Sequence, residues 1–427
     1  ARLGQVSQPL PVDIAHQATG DVFHMVQDDV FHYLWVTTDK DLFVFRITEQ
    51  RRLEQVDTSP FLPVGNKMLY EIYKSREGQL WVSAFDMESF MVDIRDNGVD
   101  KYPLAPLRNR IKANPVVTSL CKDSKGMFWF TQERYGVCIY DAATDRLRHY
   151  TDCPKAGMLP LGNVTNLTAS KMEGSVWGVL YPFSSSIVRL HQDNMEISQE
   201  IRINLNEVVR QPGHVVSMLE DKKQDLWIGT NRGLFVYRTG TGNLEMIDSE
   251  LGSVNGIVQA NDGKIWFAVA DKGLGFMKND GQYELFPSAK DFMCMDVSSD
   301  GKLWLGTGLG EVLQFDTQLK TLSDHSMSCG MKGDFINQIV VDTYNHIWIV
   351  TNQMLKEYNP NNGAYRSYAT NDLQLSLSRF MEKSVYYDRK AGEIFFGGVS
   401  GFISIAPSQA LESIPEQIAT HITDMRV

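Results

Sequence analysis

Eight polar or aromatic residues in the sequence have side chains that could bind a carbohydrate. Each of them follows an apolar, strand-like segment and lies where the chain is predicted to turn. Planar side chains stack on pyranose faces, while amide and guanidinium groups form hydrogen bonds with hydroxyl or carboxylate groups. The set consists of Arg134, Tyr135, Tyr181, Asn231, Arg232, Asp271, Lys272 and Asn352. For any single residue the competing interpretation is an ordinary polar turn, so we predict a binding surface only from the set as a whole.

Sequence motifs for metal binding and enzymatic catalysis are weak. The nine His are scattered, without HExxH or another metal-ligand spacing, and no GxSxG nucleophile elbow is found. The five Cys form no CxxC pair. The GTGLG segment at residues 306–310 imitates a phosphate loop, but it lies between strand-like segments and so predicts a hairpin turn. We therefore predict no metal site, no cofactor and no catalytic residues.

Composition and charge restrict the class of protein. The 427 residues are 43% hydrophobic and 22% charged, as in a soluble globular protein, and the net charge is −11. An acidic balance argues against nucleic acid as a direct partner, because a phosphate backbone calls for a clustered Lys/Arg surface. No apolar run is long enough to span a bilayer. The first residues lack an apolar signal core and an initiator Met, which fits a mature or excised piece of a larger protein.

A repeated segment organises the whole chain. All eight Trp lie in similar contexts, such as LWIGT at 226–230 and LWLGT at 303–307, and a ninth copy, IFFGG at 394–398, has Phe at the same place. Successive copies are 38 to 50 residues apart, which is the length of one four-stranded propeller blade. The repeated aromatic residues are Trp35, Trp81, Trp129, Trp177, Trp227, Trp266, Trp304, Trp348 and Phe395.

The copy at residues 215–247 shows the content of one unit. Apolar residues alternate over short runs, and Gly, Asn or Asp bounds each run. Strand A ends at an acidic turn, strand B carries the Trp, and strands C and D follow after a second and a third turn. The sequence therefore predicts an all-β protein, a β-propeller of four-stranded antiparallel blades with nine repeat copies in one ring of 7–9 blades. The repeated aromatics are predicted to pack between blades as structural residues rather than to bind sugar.

The acidic turn, the LWIGT segment and the Gly-Leu that follows resemble the regulator-propeller repeat of the periplasmic sensor regions of bacterial hybrid two-component systems. Copies at 215–247, 255–286, 293–315 and 337–368 match best, whereas those near 70–94 and 166–190 have lost the Gly after strand B. Residues 392–407 resemble the closing blade of such a propeller. Residues 414–427 resemble the first strand of the β-sandwich that follows it in that family.

Nine copies allow two arrangements of domains. Residues 1–407 could form one propeller, or residues 1–107 could be two blades of a preceding propeller and residues 108–407 a seven-bladed ring. We slightly favour one closed ring, because two orphan blades expose unpaired faces and edges. In both arrangements residues 408–427 are predicted to be a linker and the first strand of a following β-sandwich.

The resemblance implies a periplasmic domain of a bacterial inner-membrane protein. It would bind a glycan-derived oligosaccharide, relay the signal to a membrane histidine kinase, and form a homodimer through the following sandwich, without catalysis and without direct contact with nucleic acid. A propeller-fold polysaccharide lyase or glycoside hydrolase stays open, because catalytic groups can meet across a channel without being close in sequence. A protein-interaction scaffold is the third possibility.

Overall fold

The computed structural model describes residues 20–27, 33–47, 53–56, 69–74, 79–84, 90–93, 99–133, 135–153, 164–180, 185–331, 333–369 and 377–407. The chain divides into two compact units, residues 1–99 with 372–376 and residues 100–371 with 377–427. Each unit is built almost entirely from antiparallel sheets. None of the helices in the described ranges is long and apolar enough to cross a membrane.

The first unit contains two sheets in its described residues. One has four strands in the order β1-β2-β3-β4 and the other has three in the order β5-β6-β7. The strands are β1 (Val22–Gln27), β2 (Tyr33–Thr38), β3 (Leu42–Ile47), β4 (Leu53–Val56), β5 (Leu69–Lys74), β6 (Gln79–Ala84) and β7 (Phe90–Asp93). Trp35, Leu69 and Leu80 belong to the core between the two sheets. This is the packing that the repeat predicts for neighbouring blades.

The second unit contains seven four-stranded sheets, listed here with their strands. The first two sheets consist of β9 (Val117–Lys122), β10 (Phe128–Gln132), β11 (Gly136–Asp141) and β12 (Arg146–His149), then β13 (Val164–Ala169), β14 (Ser175–Leu180), β15 (Ser186–Asp193) and β16 (Glu196–Asn204). The next two consist of β17 (Val215–Glu220), β18 (Leu226–Thr230), β19 (Leu234–Arg238) and β20 (Asn243–Asp248), then β21 (Val254–Gln259), β22 (Ile265–Val269), β23 (Gly273–Met277) and β24 (Tyr283–Pro287).

The remaining three sheets complete this unit. Two of them consist of β25 (Phe292–Val297), β26 (Leu303–Thr307), β27 (Val312–Asp316) and β28 (Thr321–Asp324), then β29 (Gln338–Val341), β30 (Ile347–Val350), β31 (Met354–Tyr358) and β32 (Tyr365–Ala369). The last combines β33 (Arg379–Asp388), β34 (Glu393–Val399) and β35 (Gly401–Ile405) with β8 (Val99–Tyr102). A short helix, α1 (Ala105–Ile111), and 3₁₀ turns at Tyr150–Asp152 and Leu205–Glu207 lie between strands.

The seven sheets of this unit form a closed ring. The first strand of each sheet contacts the first strand of the next, and β33 of the last sheet contacts β9 of the first. Strand β8 completes the last sheet, so the first strand of this unit and its last three strands form one blade. The Tyr102 ring stacks on Phe402 with centroids 4.5 Å apart. Gly401 is required at this junction, because its φ is +124° and a Cβ would lie 2.2 Å from the Tyr102 carbonyl oxygen.

The prediction of an all-β propeller made of antiparallel four-stranded blades is confirmed, with one difference: the sheet β5-β6-β7 has three described strands. In the second unit the circle of inner strands closes after seven sheets, which lies within the predicted range of 7–9 blades. The GTGLG segment forms the turn between β26 and β27, as predicted.

The repeated Trp of strand B packs between neighbouring blades of the ring. Trp129 lies in one core with residues of β13, β14 and β15, and Trp227 lies in another with residues of β21 and β22. Trp81, in the first unit, differs because 46% of its surface is exposed. In the described part of that unit no sheet packs against the outer face of β6. Among the described residues, Trp81 is therefore not covered by a neighbouring sheet on this face, and its predicted structural role stays a prediction.

Three buried Asp hold both a turn and a Trp. The turn between strands A and B has the same backbone hydrogen bonds at Asp123, Asp221 and Asp342. In each case Oδ1 accepts the backbone N–H groups two and four residues later. Oδ2 accepts the indole N–H of the Trp six residues later, at 2.9 Å in all three. The acidic turn seen in the sequence is thus a structural device that positions strand B.

Removal of one of these carboxylates tests this role. Asp221→Ala leaves two backbone N–H groups and the Trp227 indole N–H without their acceptor, and we expect the free energy of unfolding to fall by about 2–4 kcal/mol. The control is Asp280→Ala, which removes an exposed Asp that accepts one N–H, from Gln282; we expect a loss under about 1 kcal/mol. Equilibrium denaturation of both variants gives the comparison. Equal losses in the two would contradict a special role for the buried carboxylate.

Candidate functional site

The predicted sugar-binding residues lie in the turns between strands B and C of their sheets. Asn231 and Arg232 lie between β18 and β19, Asp271 and Lys272 between β22 and β23. Asn352 lies between β30 and β31, and Tyr135 between β10 and β11. Arg134 and Tyr181 lie outside the described residues. The ring topology places these turns at corresponding ends of their blades, but it does not give them the same role.

The Asn231 side chain links strands A and B of its own blade. Its Oδ1 accepts the His214 backbone N–H at 3.0 Å, which ties the end of strand B to the start of strand A. Gly213 is required beside it, because its φ is +81° and a Cβ would lie 2.1 Å from Asn231 Oδ1. The same connection recurs in the first unit, where Asp39 Oδ1 accepts the Asp21 backbone N–H at 2.8 Å. The Asn at this place therefore has a structural explanation.

Asn352 is also engaged within its blade, since its Oδ1 accepts a hydrogen bond from Asn337 Nδ2 at 3.1 Å. Lys272 donates to the Glu250 carbonyl at 2.8 Å. The Arg232 side chain is exposed, and its guanidinium makes only two long hydrogen bonds, of 3.4 Å to the Gln211 carbonyl oxygen and 3.5 Å to Gln211 Oε1. Of these three, the Arg232 guanidinium is the group left most available to a ligand.

Asp271 belongs to an acidic part of the rim, by which we mean the end of the ring formed by the turns between strands B and C. The Asp271 backbone N–H donates to the Lys290 carbonyl at 3.3 Å, which brings Asp271 close to Asp291 in the chain fold. Burial and the negative charge of Asp271 raise the pKa of the Asp291 carboxyl. Asp271 itself is exposed and has a left-handed backbone, with φ +57°. An acidic pair repels carboxylate ligands, so at this blade the rim suits hydroxyl groups better than an acidic sugar.

Tyr135 forms part of an open groove of about 400 Å³ that also includes Ile111, Val116 and Gln132. Its ring lies 4.1 Å from the His149 ring, centroid to centroid, and its carbonyl accepts a hydrogen bond from His149 Nε2 at 2.6 Å. These contacts hold the half-buried phenol ring in place. A fixed aromatic ring beside a groove is suited to stacking against a sugar, so Tyr135 is the predicted residue whose surroundings best fit binding.

Arg110 lies behind this groove and binds Asp152 through two parallel hydrogen bonds, of 2.5 and 3.0 Å. These bonds lower the pKa of Asp152 and raise that of Arg110. The guanidinium carbon lies 5.7 Å from the centre of the Tyr135 ring. The ion pair thus helps to position Tyr135 from the side of α1.

A second cavity, of about 320 Å³, runs along the axis of the ring and is lined by residues of all seven inner strands. Its volume lies in the range of small-molecule sites. Its side chains include three amides, Asn166, Asn255 and Gln338. The Asn166 amide donates to the Val215 carbonyl at 3.4 Å, and the Asn255 amide donates to the Phe292 carbonyl at 2.8 Å. We call this cavity the central channel.

Lys383 is the one ammonium group among the described residues that line the central channel. It lies in an irregular part of β33, where the pairing with β34 shifts between Phe380 and Val385, and its φ is +58°. Its Nζ donates to the Val216 carbonyl on β17, and burial lowers its pKa. Glu220 also lines the channel, but its carboxylate accepts the N–H groups of Trp177 and Lys171.

Lys383 is absent from the set predicted from the sequence. A Lys inside a strand-like segment carries no binding signal, and only the irregular pairing of β33 directs it into the channel. The signal that could have found it is the interruption of apolar alternation at Glu382-Lys383-Ser384. The central channel is therefore a site that sequence periodicity hides.

The acidic and thiol groups most suggestive of metal chemistry have structural roles. Asp342, His346 and Glu357 are buried and close enough to hold a cation. However, Asp342 already accepts three N–H groups, and His346 Nδ1 contacts Glu357 Oε1 at 3.0 Å. The five Cys are buried and unpaired. Burial raises the pKa of Cys294 to about 12 and that of Cys329 to about 11, so both thiols stay protonated and weakly reactive.

Two neighbouring substitutions distinguish structural from available rim residues. Asn231→Ala removes the acceptor of the His214 N–H, and we expect it to lower the free energy of unfolding by about 0.5–1 kcal/mol. Arg232→Ala removes an exposed side chain with only long contacts and is expected to change stability by less than about 0.5 kcal/mol. Denaturant titration of both variants checks this order. A larger loss for Arg232→Ala would show that the guanidinium, rather than the amide, supports the turn.

Comparison with known proteins agrees with this geometry. A family model described as two component regulator propeller matches residues 211–232, which run from the segment just before β17 to the turn after β18. A search of curated protein sequences finds no match.

Among solved structures, the chain is similar to the extracellular domain of a hybrid two component system from B. thetaiotaomicron, with a TM-score of 0.68 and 20% identity over 92% of this chain and 52% of that chain. A second extracellular domain of such a system from the same organism gives 0.53, with 18% identity over 90% and 52%. A streptogramin B lyase gives 0.54, with 16% identity over 68% and 92%.

The chain thus spans about half the length of the two extracellular domains that it resembles. At these identities the likenesses establish the fold, and the matched segment adds the type of repeat. The resemblance predicted from the LWIGT segments is confirmed: the chain has a β-propeller fold, and residues 211–232 match a two component regulator propeller repeat.

Proposed function

We propose that this chain is a ligand-sensing region on the periplasmic side of a hybrid two-component system. The observation that carries the proposal is the regulator-propeller repeat at residues 211–232, within a fold similar to extracellular domains of such systems. The ligand is a glycan-derived oligosaccharide, and the signal passes to a membrane-bound histidine kinase. The chain takes part as a homodimer formed through a following sandwich domain; residues 408–427, predicted from the sequence to lead into it, lie outside the described residues.

The same proposal divides the chain into domains. Residues 100–407 supply the seven-bladed ring, and the sheets of the first unit are two blades of a preceding propeller. Support comes from Trp81, whose exposed ring has the position at which other blades bury a Trp against a neighbour. A further blade on that face would cover it.

The oligosaccharide binds at the central channel and at the nearby rim. Support comes from the channel's volume, its amide groups and the single ammonium of Lys383 among its described lining residues. Amide and ammonium groups form hydrogen bonds with sugar hydroxyls and carboxylates, and the rigid inner strands hold them in place without the entropy cost of ordering a loop. The groove at Tyr135 supplies an aromatic platform at the edge of a blade.

Signalling follows from a difference in affinity. Oligosaccharide that binds one arrangement of the dimer more tightly than another shifts the population toward the first, by no more than the difference in binding free energy. Because the central channel touches all seven inner strands, a ligand there has contacts with every blade of the ring at once. The ring passes a small change at its axis to the outer strands of each blade.

Calorimetric titration against a panel of neutral and acidic oligosaccharides tests the proposal. We expect saturable binding by the wild-type chain and an affinity for acidic members at least about tenfold lower in Lys383→Met, because a hydrogen bond to a charged group contributes about 1.5–3 kcal/mol. Lys390→Met, an exposed change two residues beyond β33, is the control and should bind as the wild type does. Failure of the whole panel to bind would favour a protein-interaction scaffold.

The same panel separates sensing from catalysis. After incubation with the chain, each oligosaccharide is assayed for new reducing ends and for unsaturated products. We expect neither product, since a sensor releases its ligand unchanged. Turnover of any member would overturn the sensor assignment in favour of a lyase or glycoside hydrolase.

A further inference from the structure

The blade of Trp266 is one of two Trp-bearing blades in the ring without the carboxylate that holds the Trp in the other blades. Ala260 has the place of Asp221, and its turn has the same two backbone hydrogen bonds, from its N–H to the Lys264 carbonyl and from the Gly263 N–H to its own carbonyl. Trp266 follows six residues later and pairs with Val258, just as Trp227 pairs with Leu219. The backbone and the indole are therefore arranged as if an Asp were present.

The Trp266 indole has lost its acceptor. Only 2% of the Trp266 surface is exposed, and among the described residues no group accepts a hydrogen bond from its N–H. Trp266 and Ala260 both line a cavity of about 290 Å³, together with Phe276 and Lys320. The Trp266 Nε1 is not among the fully buried unpartnered atoms, so its N–H is accessible from this cavity, and a ligand that enters the cavity can supply the acceptor.

The charges around the cavity favour an anion as that ligand. Lys320 Nζ lies over the Phe286, Trp266 and Phe276 rings, at 4.5, 5.4 and 5.4 Å from their centres, and belongs to no ion pair among the described residues. The two carboxylates that line the cavity already have partners: Asp262 pairs with Lys264 at 2.9 Å and Asp300 with Lys302 at 3.2 Å.

Both carboxylates hold their charge because of these partners. Burial acts to raise the pKa of each, but in Asp262 the hydrogen bond from Lys264, and in Asp300 the bonds from Ser298 and Lys302, outweigh it and leave both pKa values lowered. The Lys320 ammonium thus remains the unpaired charge at the cavity.

From these contacts we propose that the cavity between Ala260, Trp266 and Lys320 is a binding site for a small carboxylate. The carboxylate takes the place that Asp123, Asp221 and Asp342 fill in their own blades, accepts the Trp266 indole N–H and pairs with Lys320. The remainder of the ligand lies against Phe276. This site is separate from the central channel and does not depend on the proposed sensing function.

Trp304 shows why the site forms at Ala260 and not in the next blade. Ser298 has the corresponding place there, and the turn again has the same backbone hydrogen bonds. The Ser298 hydroxyl donates to Asp300 Oδ1 and lies 3.0 Å from the Lys302 carbonyl oxygen, so a side chain fills that space. Ala260 leaves it empty, because its single methyl group does not reach the indole.

The test is a titration of the wild-type chain with sodium acetate, compared with sodium chloride at equal ionic strength and followed by the indole N–H signals in ¹H–¹⁵N NMR spectra. Trp266→Phe identifies the signal of Trp266. We expect that signal to move downfield and saturate, while the signals of the other seven Trp stay nearly constant. A Trp266 signal that acetate moves no more than chloride does would overturn the proposal.

Two variants locate the bound carboxylate. Ala260→Asp places a carboxylate at the site from within the chain, so we expect the Trp266 signal to lie near its acetate-saturated position and to respond no further. Lys320→Met keeps roughly the length of the exposed side chain without its charge and should weaken acetate binding several-fold. Lys278→Met, on the blade of Trp266, should not. A full acetate response in Ala260→Asp contradicts the proposal even if that variant is less stable.

The reverse substitution checks the argument from the other blades. Asp221→Ala creates the same vacancy beside Trp227, and acetate should restore part of its lost thermal stability while leaving Asp280→Ala unaffected. Absence of that rescue would count against equivalence of the blades. A second titration of the Trp266 signal, with galacturonate in place of acetate, distinguishes two kinds of ligand. A response to both compounds indicates an acidic sugar, and a response to acetate alone indicates a short-chain acid.

Discussion

The hydrogen bond between a buried indole N–H and a carboxylate holds the Trp in four of the seven blades of the ring. Each Trp of the ring buries a large apolar surface between two blades, but its one polar group needs an acceptor there. Asp221 solves this for Trp227 and at the same time accepts the N–H groups of its own turn. One side chain thereby fixes the turn, the strand and the contact between blades, which is why the motif recurs at blade spacing.

The contact between Asp and Trp fixes the turn and the packing between blades. The side chains of the inner strands can therefore differ from blade to blade. These side chains line the central channel, where Asn166, Asn255 and Lys383 donate hydrogen bonds to backbone carbonyls of other blades. The irregular part of β33 uses this freedom, since a shift in pairing there changes the channel without disturbing Phe395 in the core between blades. The two ligand sites that we propose, at Lys383 and at Ala260, therefore both lie where the repeat is broken rather than where it is best preserved.

The fold was largely predictable, and the site was not. Trp spacing and the turn residues predict the blades, because both follow from contacts between residues close in sequence. The rim residues illustrate the limit. Asn231 has the side chain expected of a sugar ligand, yet it binds the His214 N–H of its own blade, while Tyr135 lies beside a groove that depends on α1. Polarity in a turn predicts exposure but does not say which partner the side chain has.

The sequence by itself determined the all-β class, the length of a blade, the structural role of most of its Trp and the regulator-propeller resemblance. These are local properties, set by alternation, turn chemistry and a period of one blade. Only the tertiary structure decided that seven sheets close the ring, since closure requires β8 to pair with β35 about 300 residues later. It also decided which polar groups meet around a cavity, because Lys383 reaches Val216 only when the ring brings β33 and β17 to opposite parts of one channel.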